Sequence, residues 1–252
     1  MIHVEHVGKT FGSYVALASI DLRVEPGEFI CLLGPSGCGK STLLNLVAGF
    51  DQPTTGTVRV GGKPVRGPGR DRVVVFQDAG SALLPWQTVE ENIRFGLSVR
   101  AFPKAEWPDR TNEALHMVDL ALHRAKFPAQ LSGGMRQRLQ IARALAVEPQ
   151  VLLMDEPFGA LDAMTRRRMH RVLLDIWQRT DKTILFVTHD ITEALVLADR
   201  ICIMSMGPAS TIATDLRIDT PRPRDLADPA LARRVAEIEA YFDPQIAYAE
   251  GI

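Results

Sequence analysis

Nine residues, Gly34-Pro35-Ser36-Gly37-Cys38-Gly39-Lys40-Ser41-Thr42, have the types and the order needed to hold a polyphosphate. They fit G-x-x-x-x-G-K-[ST] between an apolar run, FICLL at 29–33, and a helix-like stretch, STLLNLVAGF, which is the context that gives the pattern its meaning. Glycines let backbone N–H groups curl inward around phosphate oxygens, and the start of the following helix adds positive potential. Lys40 is expected to bridge the β- and γ-phosphates, and the Ser41 hydroxyl to ligate Mg2+. Cys38 is small enough to fit the loop and needs no catalytic role. A glycine turn that happens to precede a lysine is the competing explanation; the strand and helix flanks count against it.

A second chemical pair is Asp155-Glu156, directly after the apolar run VLLM at 151–154. Open α/β sheets bind ligands at the carboxyl ends of their strands. Asp155 suits a Mg2+ site, through water, and Glu156 is then placed to polarise the water that attacks a γ-phosphate. An acidic pair solvating a loop is the bland alternative. Gln77 follows the run RVVVF, and His189 follows TILFVT. Alone, each reads as an ordinary loop polar group or a satisfied structural histidine. Strand ends on one sheet edge converge on one crevice, so Gln77 is expected to sense Mg2+ and the attacking water, and His189 to donate to the γ-phosphate. A further stretch, Leu131-Ser132-Gly133-Gly134-Met135-Arg136-Gln137-Arg138, is also a phosphate-type helix start. A capped helix explains Ser132, but not two glycines, which weaken a helix interior.

The elements that must position these groups are legible as hydrophobic runs. FICLL, RVVVF, VLLM and TILFV read as strands, the continuous apolar ones as covered on both faces. Helices are predicted after the phosphate loop, from Thr88 (with Glu91 at capping-box spacing), from about Asp109 to Leu122, from Ser132 to about Val147, and near 164–179. The alternation implies a mostly parallel sheet with right-handed crossovers. Two regions break it: a helical stretch at about 88–147, and a tail after about Asp215 that contains TPRPRD. The basic run Arg166-Arg167-Arg168-Met169-His170-Arg171 reads as a solvated helix face.

Composition bounds the rest. The chain has 252 residues and 46% hydrophobic content, enough for one large domain with a small subdomain. A net charge of −1 argues against a general nucleic-acid binder. The longest apolar run is five residues, against about 20 for a membrane helix. The start, MIHVEHVGKT, has no signal-peptide pattern. Three scattered cysteines point to a reducing compartment and no disulfide framework. The expectation is a cytosolic chain whose membrane role, if any, comes through a partner.

The segments GPSGCGKST, FQD, LSGGMRQR, VLLMDEP, ALD and VTHD occur in the order found in the ATP-binding subunits of ABC transporters, which the chain resembles over roughly residues 1–215. The resemblance implies an α/β fold of the P-loop ABC ATPase type: a mostly parallel core sheet, an N-terminal antiparallel β part and an inserted helical subdomain at about 88–147. Residues 216–252 would form a C-terminal extension. It implies ATP and Mg2+ as ligands of Gly34 to Thr42, with Gln77, Asp155 and Glu156 as above, Asp162 in the D-loop and His189 in the switch. Phe11 falls where the family places an aromatic that stacks on adenine, with Tyr14 the runner-up; Phe11 reads equally well as core. Met135 departs from the commoner glutamine, while Ser132, Gly133 and Gly134 are intact. By the same resemblance two copies pair head to tail, so that LSGGM caps the ATP held by the other copy's loop. A two-fold dimer makes that self-consistent.

GPGRDR at 67–72, LLPWQTVEEN at 83–92 and TPRPRD look like the nitrate/sulfonate/taurine importer group. The implied partners are transmembrane permease subunits and, indirectly, a periplasmic solute-binding protein, with no nucleic acid. The implied location is the cytoplasmic face of the membrane. LLPW reads either as the permease-facing region or as an apolar loop packed on the helical subdomain. The competing functions are a soluble ABC ATPase acting on DNA or ribosomes, of which no coiled-coil insertion, zinc module or second ATPase unit is visible, and a P-loop kinase, which has no use for LSGGM.

Overall fold

The computed structural model describes residues 1–249. It divides into two compact units, one formed by Met1–Gly67 with the residues from Leu185 onward, the other by Pro68–Ile184. The first unit begins with strands β1 (Ile2–Phe11) and β2 (Tyr14–Val24), paired antiparallel with Ile2 opposite Val24 and Phe11 opposite Tyr14. Gly12, at a φ of 58°, opens the turn between them. After β3 (Phe29–Leu33) and helix α1 (Lys40–Ala48), strands β4 (Thr55–Val60) and β5 (Lys63–Pro64) complete an antiparallel sheet of order β2-β1-β4-β5. This is the expected N-terminal antiparallel part. All five β3 side chains are buried, as a strand covered on both faces requires. Gly49 ends α1 in the left-handed region, where its N–H bonds the Asn45 and Leu46 carbonyls.

In the second unit β6 (Arg72–Val75) lies parallel to β7 (Val151–Asp155), with Arg72 opposite Val151 and Val75 opposite Met154. Between them come a single turn, α2 (Ala79–Ala82), then α3 (Val89–Val99), α4 (Trp107–Met117) and α5 (Gly133–Ala146), the last three packed on one another. The Thr88 box is present: its Oγ1 accepts from Glu91 N at 3.3 Å, and its N–H donates to Glu91 Oε2 at 2.7 Å. Helix α4 departs from the expected 109–122. It starts earlier because Pro108 occupies the first turn, where a missing N–H costs no bond. It stops at Met117, and Asp119 then adopts a φ of 58°. Helix α6 (Ala163–Thr180) carries the basic run, with Met169 and His170 buried and Arg167 and Arg171 exposed.

Strand β8 (Thr183–Thr188) starts in the second unit, where the order is β8-β7-β6, and runs into the first, where it is β10-β9-β3-β8. It leads to α7 (Ile191–Leu197), β9 (Arg200–Met204), which is parallel to β3, β10 (Ile212–Arg217), which turns back antiparallel on β9, and α8 (Pro229–Ala249). Strand pairing thus continues to Arg217, two residues past the expected domain end at 215. The last residues of that extension, 250–252, lie outside the described residues. Among the described residues no helix is long and apolar enough to cross a membrane.

Candidate functional site

In the first unit the phosphate-type loop connects β3 to α1. Gly37 and Gly39 have φ values of 81° and 91°, in the region that favours glycine. Gly39 is the N-cap of α1 and supplies no side-chain acceptor to the helix's first N–H groups. Those groups are the ones an anion satisfies. A Cβ at Gly39 would lie 2.7 Å from Leu17 Cδ2, and one at Gly34 would lie 2.8 Å from Cys38 Sγ. Lys40 is 4% exposed, and its Nζ donates to the Gly34 and Pro35 carbonyls, each at 2.7 Å. The ammonium therefore sits within the loop on neutral acceptors. Ser36, Gly37 and Ser41 are exposed; Pro35 and Thr42 are half-buried. Burial pushes the Cys38 thiol up, which keeps it protonated and unreactive.

Phe11 and Tyr14 face each other across the β1–β2 turn, 50% and 49% exposed. Neither is core. Lys9 Nζ lies 4.8 Å from the Phe11 ring centroid, while it bonds Asp51 Oδ1 at 2.7 Å and the Gln52 carbonyl at 2.9 Å. A Cβ at Gly207 would lie 3.3 Å from the Gly37 carbonyl oxygen and 3.4 Å from the Tyr14 hydroxyl. Tyr14 thus reaches toward the loop. His189 is exposed at the end of β8, between two anchored neighbours. Thr188 Oγ1 donates to Glu193 Oε2 at 2.6 Å and accepts from Asp190 N at 3.0 Å. Asp190 caps α7, its Oδ1 accepting from Thr192 N and Glu193 N.

In the second unit, Gln77 is exposed just past β6, and Asp155 and Glu156 are half-buried at the end of β7. A Cβ at Gly159 would lie 3.2 Å from Gln77 Nε2 and 3.9 Å from Glu156 Oε2. The structure therefore brings these two side chains to one point. Glu156 has a φ of 43°, left-handed for a residue with a Cβ, a conformation that costs about 1 kcal/mol or more. The turn rests on Phe158, which is fully buried with its ring centroid 5.5 Å from that of His170.

Ser132 caps α5, its Oγ accepting from Met135 N at 3.3 Å. Ser132 and Gly133 are exposed and Gly134 is buried. A Cβ at Gly134 would lie 2.5 Å from Thr165 Cγ2, so close approach to α6 requires this glycine whatever the motif binds. The same Thr165 donates from Oγ1 to Asp162 Oδ2 at 2.7 Å and from N to Asp162 Oδ1 at 3.0 Å. These bonds, the hydroxyl's first, hold the Asp162 carboxyl below its ordinary value. Asp162 is thereby the cap of α6.

Two holding residues escaped the sequence reading. Gln140, 2% exposed in α5, accepts from Phe76 N at 2.8 Å and donates to Phe76 O at 3.0 Å once its amide is oriented to satisfy both. Arg143 Nη2 donates to the Ala82 carbonyl at 2.6 Å. Together they fix the chain on either side of Gln77 and α2. No sequence signal marks Gln140, whose neighbours on the helix at i−4, i−3 and i+3 are Arg136, Gln137 and Arg143.

The family described as ABC transporter matches residues 17–159. The chain is 50% identical over 232 residues to the nitrate import ATP-binding protein NrtD of Synechococcus elongatus, covering 89% of this chain and 83% of that one. It is 53% identical over 199 residues to the taurine import ATP-binding protein TauB of Chromobacterium violaceum, covering 79% and 76%. The dimeric structure of a bacterial ABC transporter cassette, MJ0796, superposes with a TM-score of 0.75 at 33% identity, covering 88% of this chain and all of that one.

Proposed function

The chain belongs to the ABC transporter family as an ATP-binding, ATP-hydrolysing subunit, and from this premise we propose that it powers an importer for a small anion or a related organic solute. The observation that carries the proposal is the identity of about half over most of the chain to proteins named for nitrate and taurine import.

The local geometry supports a role for each residue. Gly34 to Gly39 and the uncapped start of α1 suit the phosphates, and Lys40 exchanges its loop carbonyls for phosphate oxygens. The Ser41 hydroxyl, Asp155 and Gln77 are hard oxygen donors of the kind that hold Mg2+ beside phosphates. When bound, Mg2+ neutralises the charge that builds on the transferred phosphoryl group. Glu156 polarises the attacking water, and its backbone conformation aims the carboxylate. His189 donates to the γ-phosphate from between its two fixed neighbours. Phe11, with Tyr14 as the alternative, offers the exposed ring for adenine.

The proposed assembly is a head-to-tail homodimer in which exposed Ser132 and Gly133, with Gly134 and Asp162, meet the partner's nucleotide. It sits at the cytoplasmic face of the membrane through permease subunits that receive solute from a periplasmic binding protein. In the domain reading that goes with this, 1–215 form the nucleotide-binding domain, 88–147 its helical part and 216–252 an extension. The test is reconstitution with the permease and binding protein in vesicles. ATP hydrolysis stimulated by nitrate- or sulfonate-loaded binding protein is the expected result. A permease complex whose hydrolysis responds to no anion or sulfonate would overturn the substrate class.

A further inference from the structure

The segment Thr220-Pro221-Arg222-Pro223-Arg224-Asp225 takes no part in the chemistry above, yet its arginines make an unusual set of contacts. Arg224 donates from Nη1 to the Leu195 and Ala198 carbonyls, at 2.8 and 2.6 Å, and ties its own segment down through the Ile218 and Thr220 carbonyls at 3.0 and 2.8 Å. Arg222 donates to the Leu197 carbonyl at 2.5 Å and to Asp199 Oδ1 at 2.6 Å. Asp199 in turn accepts from Phe29 N at 3.0 Å at the start of β3, the strand that enters the phosphate loop.

Leu195, Leu197 and Ala198 carry the last carbonyls of α7. That helix has seven residues, no basic residue in its last turn and Ala198 rather than glycine at its C-cap. So short a helix is unstable by itself, and its orphan carbonyls need donors. Two guanidinium groups from a segment far along the chain supply them, with the charge sign that the C-terminal end of a helix favours. Burial, then the neighbouring Arg222, lower the Arg224 pKa to about 10, so it remains charged at neutral pH. Helix α8 also packs on α7, with Leu231 and Ile238 buried. At the other end of α7, Glu193, 3% exposed, holds Thr188, the residue before His189.

We propose that Arg222 and Arg224 are positioning residues for His189: the C-terminal extension clamps α7, and α7 sets the switch histidine through the Glu193–Thr188 hydrogen bond. The inference rests on the role given to His189 above. A cap that stabilises α7 and nothing else is the outcome it must exclude.

The test uses the full chain carrying Arg224→Ala, with Arg222→Ala and the milder Arg224→Lys as second variants should the first fold poorly. Backbone amides of α7 are expected to exchange about 10- to 100-fold faster, while those of β1 and β2 keep their rates. kcat for ATP is expected to fall about 3- to 30-fold with KM unchanged within about twofold. In a His189→Ala background the same substitution should lower kcat no further, although the exchange change persists. Unchanged exchange in α7 overturns the clamp. A kcat loss of full size in the His189→Ala background overturns the link to His189. A wild-type chain without ATP hydrolysis would refute the ATPase reading instead, and the exchange contrast would still decide the clamp.

Discussion

The starts of α1 and α5 are both glycine-rich, and they differ in what they lack. At α1 the N-cap is Gly39 at a φ of 91°, without a side chain to accept from the helix, and Lys40 is held on carbonyls of its own loop. At α5 the N-cap is Ser132, whose Oγ already accepts from Met135 N, and Gly134 is demanded by the methyl of Thr165. The first start takes no acceptor from its cap, an arrangement that suits an anion. The second has a side-chain cap of its own within its unit, so its first turn does not depend on a ligand for that bond. A phosphate-type helix start in a sequence is thus two different things, told apart by whether the cap is satisfied internally.

The largest expected effect separates binding at α1 from chemistry. Glu156→Gln is expected to lower ATP hydrolysis about 10²- to 10⁴-fold, the usual contribution of a general base, with ATP affinity retained in equilibrium binding. Hydrolysis at the wild-type rate would remove Glu156 as the base. Next in size is the direct contrast of the two starts. Lys40→Ala and Ser132→Arg are each expected to cost about 10²- to 10³-fold in hydrolysis, but only Lys40→Ala should weaken nucleotide binding to the isolated chain. Mixing the two variants should restore some ATP-dependent dimerisation, because one site of the mixed dimer then has both starts intact. Mixed dimers that form without rescue would confine each start to its own chain.

A smaller effect concerns the glycines. Gly134→Ala is expected to destabilise the fold by about 1–3 kcal/mol through the clash with Thr165. Thr165→Ser in the same chain removes the methyl, keeps the hydroxyl on Asp162 and should restore most of the loss in thermal unfolding. No restoration would mean that the clash is not why glycine stands there. Smallest is Trp86→Ala. Trp86 is 70% exposed, on a loop whose fold is fixed by Asn92, which accepts from Leu84 N and donates to the Leu84, Gln87 and Thr88 carbonyls. Intrinsic ATP hydrolysis should stay within about twofold, as for exposed positions generally, while solute-stimulated hydrolysis by the permease complex falls. Lost folding would return the tryptophan to a packing role.

The sequence was most legible where the cause is local. FICLL and VLLM declare buried strands by composition, and the Thr88–Glu91 box declares its helix by spacing. The start of α4 is harder to place, because a proline such as Pro108 either ends a helix or opens it, and only the first turn's geometry decides between the two. The glycine pair after Ser132 suggests a ligand, yet Gly134 answers to Thr165 on another helix, a contact that no local pattern encodes. Gln77 and Glu156 are expected to meet because their strands end on one sheet edge, and both side chains do lie beside the turn at Gly159. The left-handed backbone at Glu156 left no trace at all, since glutamate has no preference for it. The arginines of TPRPRD were visible as residues but not as caps, because the carbonyls they satisfy belong to an earlier part of the chain.

That left-handed glutamate sets two demands against each other. A glycine or asparagine at position 156 would relieve the backbone and make the protein harder to unfold, and it would remove the carboxylate proposed as the base. Under selection for folding alone, the position should drift toward those residues; under selection for turnover it should stay glutamate. The φ of 43° at Glu156 thus joins a cost in folding to the role proposed for its carboxylate.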